Sequence, residues 1–520
     1  MNKCTFTGCT NNAFNTKEEC ALHFKKRSAT YGEDFNSSFY QDLIAYIQKL
    51  AVKELPLKNY DPNVINPSNI NSILHSQELN QQKKEAISKF LNELPIELAD
   101  IDFPVLNNDS NSNYLRVLEK LKPIHFKNCS FRFQDTFFIQ NKTISFEDCI
   151  FHSDWDMKAL DSDSISQDVK FKNCEFRRNI TIKSDTLNKA SIQQNLFSDC
   201  NFRKKLAIER ISFDLCLLFK NSDNKLTNIR EIHIIECEFN NKFSLNHCEV
   251  FNFCMKDSVL NSKFEFKNNK VMNQFELNNT NYVKIVDMYE SKFHSKFEIR
   301  KSIFNDFVGF EKCEFYETEN TNAAQFVYAT FLSFVNFRNT KFMNGLNIEN
   351  INLKETPNFL NTIINPANTN RETFRIVKNS FDKSGNLISA HKFFAEEMRK
   401  YKAEVNISGK FTHKLILNFN SIFSNFGQSY LRPFFSLVIF TLIYYCLQLG
   451  YAYNVLYEIH PPYNDMFLLF SHHLNGLAKS VTPFTRFLYE GMEFLSLFFY
   501  IFNSIFIWLT IVAIKRCTQR

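Results

Sequence analysis

Broken every eleven residues, the stretch from Phe264 to Phe315 reads FEFKNNKVMNQ, FELNNTNYVKI, VDMYESKFHSK, FEIRKSIFNDF and VGFEKCEF. Three apolar columns run down it in phase. Phe264, Phe275, Val286, Phe297 and Val308 form the first; Phe266, Leu277, Met288, Ile299 and Phe310 the second; Val271, Tyr282, Phe293, Phe304 and Phe315 the third. Self-similarity at a fixed period dictates architecture before any local assignment does. This segment is therefore a stack of similar layers, a scaffold and not a catalytic cleft.

An eleven-residue period can also drive a right-handed coiled coil. On a helix, though, Phe264 and Phe266 would point about 200° apart, at roughly 100° per residue, and one would face water. In a strand, residues two apart share a face. Doublets such as Phe275/Leu277 and Phe297/Ile299 thus suit short strands, and Lys267-Asn-Asn-Lys270 between them is turn material. The strand reading wins.

The units extend outward in looser phase. Upstream lie Phe253/Met255/Leu260, Phe243/Leu245/Val250 and Ile232/Ile234/Phe239; downstream, a five-residue shift gives Phe326/Phe337/Ile348 and Phe331/Phe342/Leu353. Further upstream the core is Phe126-Lys-Asn-Cys129-Ser-Phe131, repeated as Phe146 to Phe151, Phe171 to Phe176 and Phe197 to Phe202. Phe recurs at i and i+5, with a small residue two before the second Phe.

That core resembles the pentapeptide-repeat family, whose members carry Leu or Phe at the centre of each unit and a small residue two positions earlier. The resemblance implies a right-handed quadrilateral β-helix over 124–356. Its central positions would be Phe131, Phe151, Phe176, Phe202, Phe239, Phe293, Phe304 and Phe315. Its small positions would be Cys129, Cys149, Cys174, Cys200, Cys237, Ser291, Ser302 and Cys313. The pattern is degenerate here: the period is eleven instead of ten, and Cys replaces the usual Ala. Twenty-two residues per coil, two eleven-residue units each, is the expected register.

Composition fits a narrow stacked core. Phe supplies 59 of 520 residues and Gly only 10, far below the usual ~7%. Neither a phosphate-cradling Gly-rich loop nor a Gly-x-Ser-x-Gly elbow occurs, and Ser, His and Asp fall into no fixed-spacing constellation. No enzyme, small-molecule substrate or cofactor other than a metal is expected. A net charge of +6, with no tight basic run interleaved with aromatics, gives no ground for a nucleic-acid partner.

Two long apolar stretches close the chain. Residues 434–453 hold twenty residues without a charge and 494–514 another twenty-one, each long enough to cross a ~30 Å hydrocarbon core as a helix. Lys410, Lys414 and Arg432 precede the first, and Lys515, Arg516 and Arg520 follow the second. The connecting segment holds Lys479 and Arg486 against Glu458, Asp465, Glu490 and Glu493. Positive-inside counting places both termini in the cytoplasm of an inner-membrane, two-span protein. The start, Met-Asn-Lys-Cys, has no apolar h-region, so no cleaved signal is expected and the cysteines read as reduced thiols.

The N-terminus holds the one site-like motif. Cys4-x4-Cys9-x10-Cys20-x2-His23 supplies three thiolates and an imidazole, a tetrahedral set suited to structural zinc. Cys20 and His23 fall on one helical turn, Cys4 and Cys9 flank a loop with Gly8, and the surrounding residues 1–30 have little else to bury. Seven other cysteines (129, 149, 174, 200, 237, 248 and 313) occupy inward repeat positions and read as small buried hydrophobes. His460, His472 and His473 read as solvated loop residues.

Helical spacing marks 31–123 (Phe39, Leu43, Ile47; Ile87, Leu91, Leu94; Leu115, Leu118, Leu121) as a helical cap for the open end of the β-helix. Residues 368–405 read as a helical hairpin with Gly385 as C-cap, followed by the membrane module, 430–520. Phe374, Arg375, Lys378, Phe381, Gly385, Asn386, Ala390, Phe393, Phe394, Glu397 and Met398 match a linker found in bacterial pentapeptide-repeat membrane proteins, some of which end in a two-helix, potassium-channel-like module. Here no Thr-Val-Gly-Tyr-Gly filter precedes the second span, only Lys479-Ser-Val-Thr-Pro483, so potassium conduction is not implied. Two functions remain: a membrane-anchored scaffold for a protein partner, or a homo-oligomeric pore in which 464–489 re-enters the lipid and the β-helix senses.

Overall fold

The computed structural model describes residues 3–7, 9–15, 17–26, 31–54, 96–105, 113–118, 121, 123–132, 144–158, 166–184, 189–192, 194–222, 225–316, 323–408, 411–454, 466–481 and 488–518. They fall into two compact units: Met1–Asn344 with Asn350–Ile364, and Gly345–Glu349 with Asn365–Arg520.

The first unit is a parallel β-solenoid of about nine turns. Phe264 pairs with Val286 and Phe275 with Phe297, so a residue stacks on the one 22 positions later and the two eleven-residue units alternate around each coil. The period slips where the sequence does. Ile299 pairs with Phe326, 27 residues on, because five extra residues enter after Phe315; upstream, the step from Phe126 to Phe146 is 20 and from Phe146 to Phe171 is 25. Asn268, Asn279, Glu290, Lys301 and Lys312 all turn at φ near +50°, and the corner positions lean on Asn and Asp, which tolerate the left-handed region better than other non-glycine residues.

Every central position named above is buried, as are Ser291, Ser302 and the seven inward cysteines. The small residue does more than fit: the thiols of Cys129, Cys149, Cys174 and Cys200 each donate to a carbonyl of the preceding coil, at Leu98, Phe126, Phe146 and Phe171. Burial pushes the Cys237 and Cys248 thiols up to about 12, which keeps them protonated and inert.

The solenoid starts earlier than the sequence pattern shows. Strands β1 (Ile96–Ala99) and β2 (Asp102–Phe103) pair with Ile124–Lys127 and Ser130–Phe131, inside the segment read as a helical cap. This coil keeps only the second Phe of the Phe-x-x-Cys-x-Phe core, at Phe103, with Leu98 and Ile101 in place of the first Phe and the Cys. Helix α1 (Glu33–Glu54) does form as its spacing indicates, burying Phe35, Phe39, Leu43 and Ile47. A four-residue helix α2 (Leu115–Leu118) follows. The expected helix around Ile87, Leu91 and Leu94 lies outside the described residues.

The second unit is helical. Helices α3 (Arg371–Lys383) and α4 (Leu387–Ser408) make the hairpin, with Asn370 as N-cap accepting from the Thr373 N–H and Gly385 at φ +76° ending α3. Phe374 and Phe381 of α3 pack on Phe393 of α4. Then come α5 (Phe411–Ser424), α6 (Leu431–Asn454), α7 (Met466–Val481) and α8 (Glu493–Thr518). Helices α6 and α8 are long and apolar enough to cross a membrane.

Candidate metal centre

The N-terminal segment folds back on itself before α1. Lys3 bridges antiparallel to Asn12, the Cys4 N–H donates to the Asn11 carbonyl and the Thr5 N–H to that of Glu18. A tight turn brings Cys9 N–H to the Phe6 carbonyl, and a helical turn brings His23 and Phe24 N–H to the Cys20 carbonyl. Gly8 lies outside the described residues.

These turns gather the four candidate ligands. Their donor atoms all lie within 4.8 Å of one another: Cys9 Sγ to Cys20 Sγ is 3.8 Å, Cys4 Sγ to His23 Nδ1 3.7 Å and Cys20 Sγ to His23 Nδ1 3.2 Å. A tetrahedral zinc, with bonds of about 2.3 Å to sulfur and 2.0 Å to nitrogen, sets ligands about 3.5–3.8 Å apart, so the spacing suits one ion with all four protein ligands.

The surroundings favour a charge-compensated state. Burial pushes the Cys20 thiol up to about 12 and raises Cys9 as well, while burial and then Lys26 hold His23 below its ordinary range. Thiolates are disfavoured there unless a cation sits among them. The Cys20 N–H donates to Cys4 Sγ at 3.2 Å, an orienting contact of the kind that supports ligands. The Phe6 ring stacks on His23, centroids 4.2 Å apart, fixing the imidazole plane. Cys9 and His23 also edge a cavity of about 160 Å³ shared with Tyr46, Lys49 and Asp100.

Sequence spacing picked out the four clustered residues but missed what seats them. The Leu22 carbonyl accepts from the Asp102 N–H, and Asp102 Oδ2 accepts from the Lys26 N–H at 2.9 Å while Oδ1 pairs with Arg132 at 3.2 Å. The motif is thereby stitched to the first coil. Asp42 of α1 accepts from the Ala21 N–H, and burial pushes its carboxyl up to about 6. Lys26 is buried with its ammonium over the rings of Phe24, Phe35 and Phe39 and donating to the Leu22 carbonyl; burial brings it down to about 7 against the pull of Asp102. None of these carries a motif, since Asp42 and Asp102 act through contacts 21 and 76 residues away and Lys26 is buried only by the fold.

A second cluster joins α6, α7 and α8. Asn503 Nδ2 lies 3.4 Å from Thr441 Oγ1 and 3.3 Å from the Ser480 carbonyl. Ser480 donates to Gln448 Oε1 at 2.8 Å and Tyr444 to Ser496 Oγ at 2.7 Å. His473, read from sequence as a solvated loop residue, sits on α7 with Nδ1 2.9 Å from the Tyr445 hydroxyl. Gly476 lies so close to the Tyr445 ring that a Cβ would meet it at 2.6 Å. His460 lies outside the described residues.

No family model, curated protein or solved structure matches this chain.

Proposed function

We propose that this chain is a non-enzymatic integral membrane protein that presents its β-solenoid to a protein partner, with a structural zinc closing the N-terminal knuckle. The observation that supports it is the solenoid's outer surface. Lys270, Lys292, Glu314 and Lys341 form one rung-by-rung ladder, and with Lys312, Glu290 and three asparagines they line a groove of about 570 Å³. Lysine–glutamate pairs at such exposed positions contribute little to stability, about 0–1 kcal/mol each, so this charge pattern is free to serve recognition. The partner expected is a protein, held at an inner membrane with both termini of this chain cytoplasmic.

The pore reading is favoured by one observation. The Ser480 carbonyl, at the end of α7, accepts from Asn503, which also reaches Thr441; Asn503 and Thr441 are the eleventh residues of α8 and α6. Ten residues of helix span about 15 Å, half of a ~30 Å core, so α7 ends at mid-membrane if α8 crosses. A 16-residue helix stopping there is what a re-entrant segment requires, and the Ser480 carbonyl near its end is satisfied by Asn503 of α8. Stoichiometry separates the readings. Light scattering on detergent-purified full chain should give a monomer, or a complex with one partner, for the scaffold; a closed ring of copies supports the pore.

A further inference from the structure

Helix α5 has three faces, and only two of them are covered. Phe419 and Phe423 pack on Phe506 of α8, at 6.2 and 5.0 Å between centroids, and Phe419 also approaches Phe502. The polar side meets α4: Lys402 Nζ donates to Ser421 Oγ at 3.1 Å, and the Tyr401 hydroxyl lies 3.3 Å from His413 Nδ1. The third face holds Phe411, Leu415 and Ile422, which fall within about 40° of one another on a helical wheel. Their exposures are 78, 56 and 62%, and Ile416, on the far side of the Phe419/Phe423 face, is 64% exposed. Four bare large apolar side chains on a 14-residue helix are more than scattered surface hydrophobics explain.

We infer that α5 is a third lipid-embedded element, its Phe411/Leu415/Ile422 face lying against the acyl chains of the same bilayer that α6 and α8 cross. This rests on the membrane reading of those two helices. Depth carries it: α5 packs on Phe502 and Phe506, well inside the 26-residue apolar helix α8. A helix seated there shares the medium of that helix's outer face, where Phe498, Ile501 and Trp508 are exposed. Charge agrees. No charged residue occurs from Leu415 to Leu431, and the flanking charges at Lys414 and Arg432 are both basic, positioned for anionic headgroups. Fourteen residues reach only about 21 Å, too short to span, so α5 lies in one leaflet.

Nitroxide labels on the full-length chain, reconstituted in vesicles of phosphatidylcholine and phosphatidylglycerol, test this. Labels go on single cysteines at Leu415, Ile422, Lys414, Glu490 and Ile511, with Cys446 and Cys517, the exposed native thiols among the described residues, changed to Ser. Labels at Leu415 and Ile422 should collide with oxygen several-fold more than with a water-soluble nickel chelate, matching Ile511, while Lys414 and Glu490 show the reverse. Nickel access at Leu415 and Ile422 would overturn the inference in favour of a water-exposed face. Shielding from both reagents would overturn it in favour of a second copy or a protein partner. In either case lipid exposure at Ile511 would leave the membrane reading standing, and nickel access at Ile511 would remove both.

Discussion

Phe275 lies one coil beneath Phe297, their ring centroids 5.2 Å apart and their planes 3° from parallel. The two are 22 residues apart in the chain, and Phe253 continues the stack one coil further down, again at 5.1 Å. Neighbouring columns cross this stack edge-on, as Phe293 does to both Phe275 and Phe297. The interior along these coils is a lattice of stacked and edge-on aromatic rings.

That lattice makes Phe293→Asp severe. The side chain is 1% exposed and packs on Phe275, Phe297 and Phe315, so a carboxylate there is buried without a partner. A loss of several kcal/mol is expected, read as loss of the cooperative urea transition of the solenoid. Lys292→Gln, one residue away, removes only the half-exposed pair with Glu314 at 3.4 Å and should shift the midpoint by no more than about 1 kcal/mol. Equal effects would mean that the inward face is misassigned.

Acid should weaken the solenoid in a defined window. Burial raises the Glu265 carboxyl, but hydrogen bonds and charge from Lys242 and Lys263 outweigh it and bring the group down to about 2. A carboxyl depressed in the folded state stabilises above its unfolded value near 4.5 and loses that contribution as pH falls to about 2. Each pH unit is worth about 1.4 kcal/mol, so on the order of 3 kcal/mol is at stake. Unfolding midpoints measured from pH 6 to pH 2 should fall more steeply for the native chain than for Glu265→Gln; parallel curves would refute the assignment.

The knuckle should hold about one zinc per chain. Cys20→Ser removes a ligand whose sulfur lies 3.2 Å from His23 Nδ1 and should abolish the metal in elemental analysis of reduced, freshly purified protein. Asp102→Ala leaves all four ligands but cuts the ties to Lys26 and Arg132. A drop in zinc affinity of about 10–100-fold is expected if such supporting contacts behave as they do elsewhere. Native protein free of zinc would remove the centre.

The docking of α7 can be read by cross-linking. With Ser480 Oγ 2.8 Å from Gln448 Oε1, cysteines placed at 448 and 480 should couple readily under mild oxidation in membranes. Gly476→Val in that background should suppress the coupling by driving α7 off Tyr445, and Tyr445→Ala should restore it. Coupling indifferent to both changes would show that α7 packs elsewhere.

The solenoid was legible because its signal repeats: one misread unit among many cannot hide three columns in phase. Its first coil was not, since Leu98 and Ile101 stand where later coils carry the first Phe and the Cys. The four candidate ligands, which the fold brings within 4.8 Å of one another, were legible because thiolate and imidazole side chains at such spacing form a recognisable set. Asp42, Lys26 and Asp102 escaped, since a lone Asp or Lys reads as solvated until the fold buries it. The two helices long and apolar enough to cross a membrane announced themselves through length without charge. Helix α7 was harder, because His472, His473 and Lys479 dilute its apolar character, and the Asn503–Ser480 contact that seats it joins residues 23 apart.

The most direct test of the membrane-presented solenoid is side-specific labelling in intact cells. A full chain carrying a single reporter cysteine at Glu490, just before α8, should react with a membrane-impermeant maleimide from outside. A reporter at Glu33, at the start of α1, should react only after lysis. The charge count supplies the physical ground: three basic residues flank each outer end of the span pair, while the segment between holds more acids than bases. Labelling of Glu33 from outside, with Glu490 protected until lysis, would contradict the account and place the solenoid and its thiols on the opposite side of the membrane.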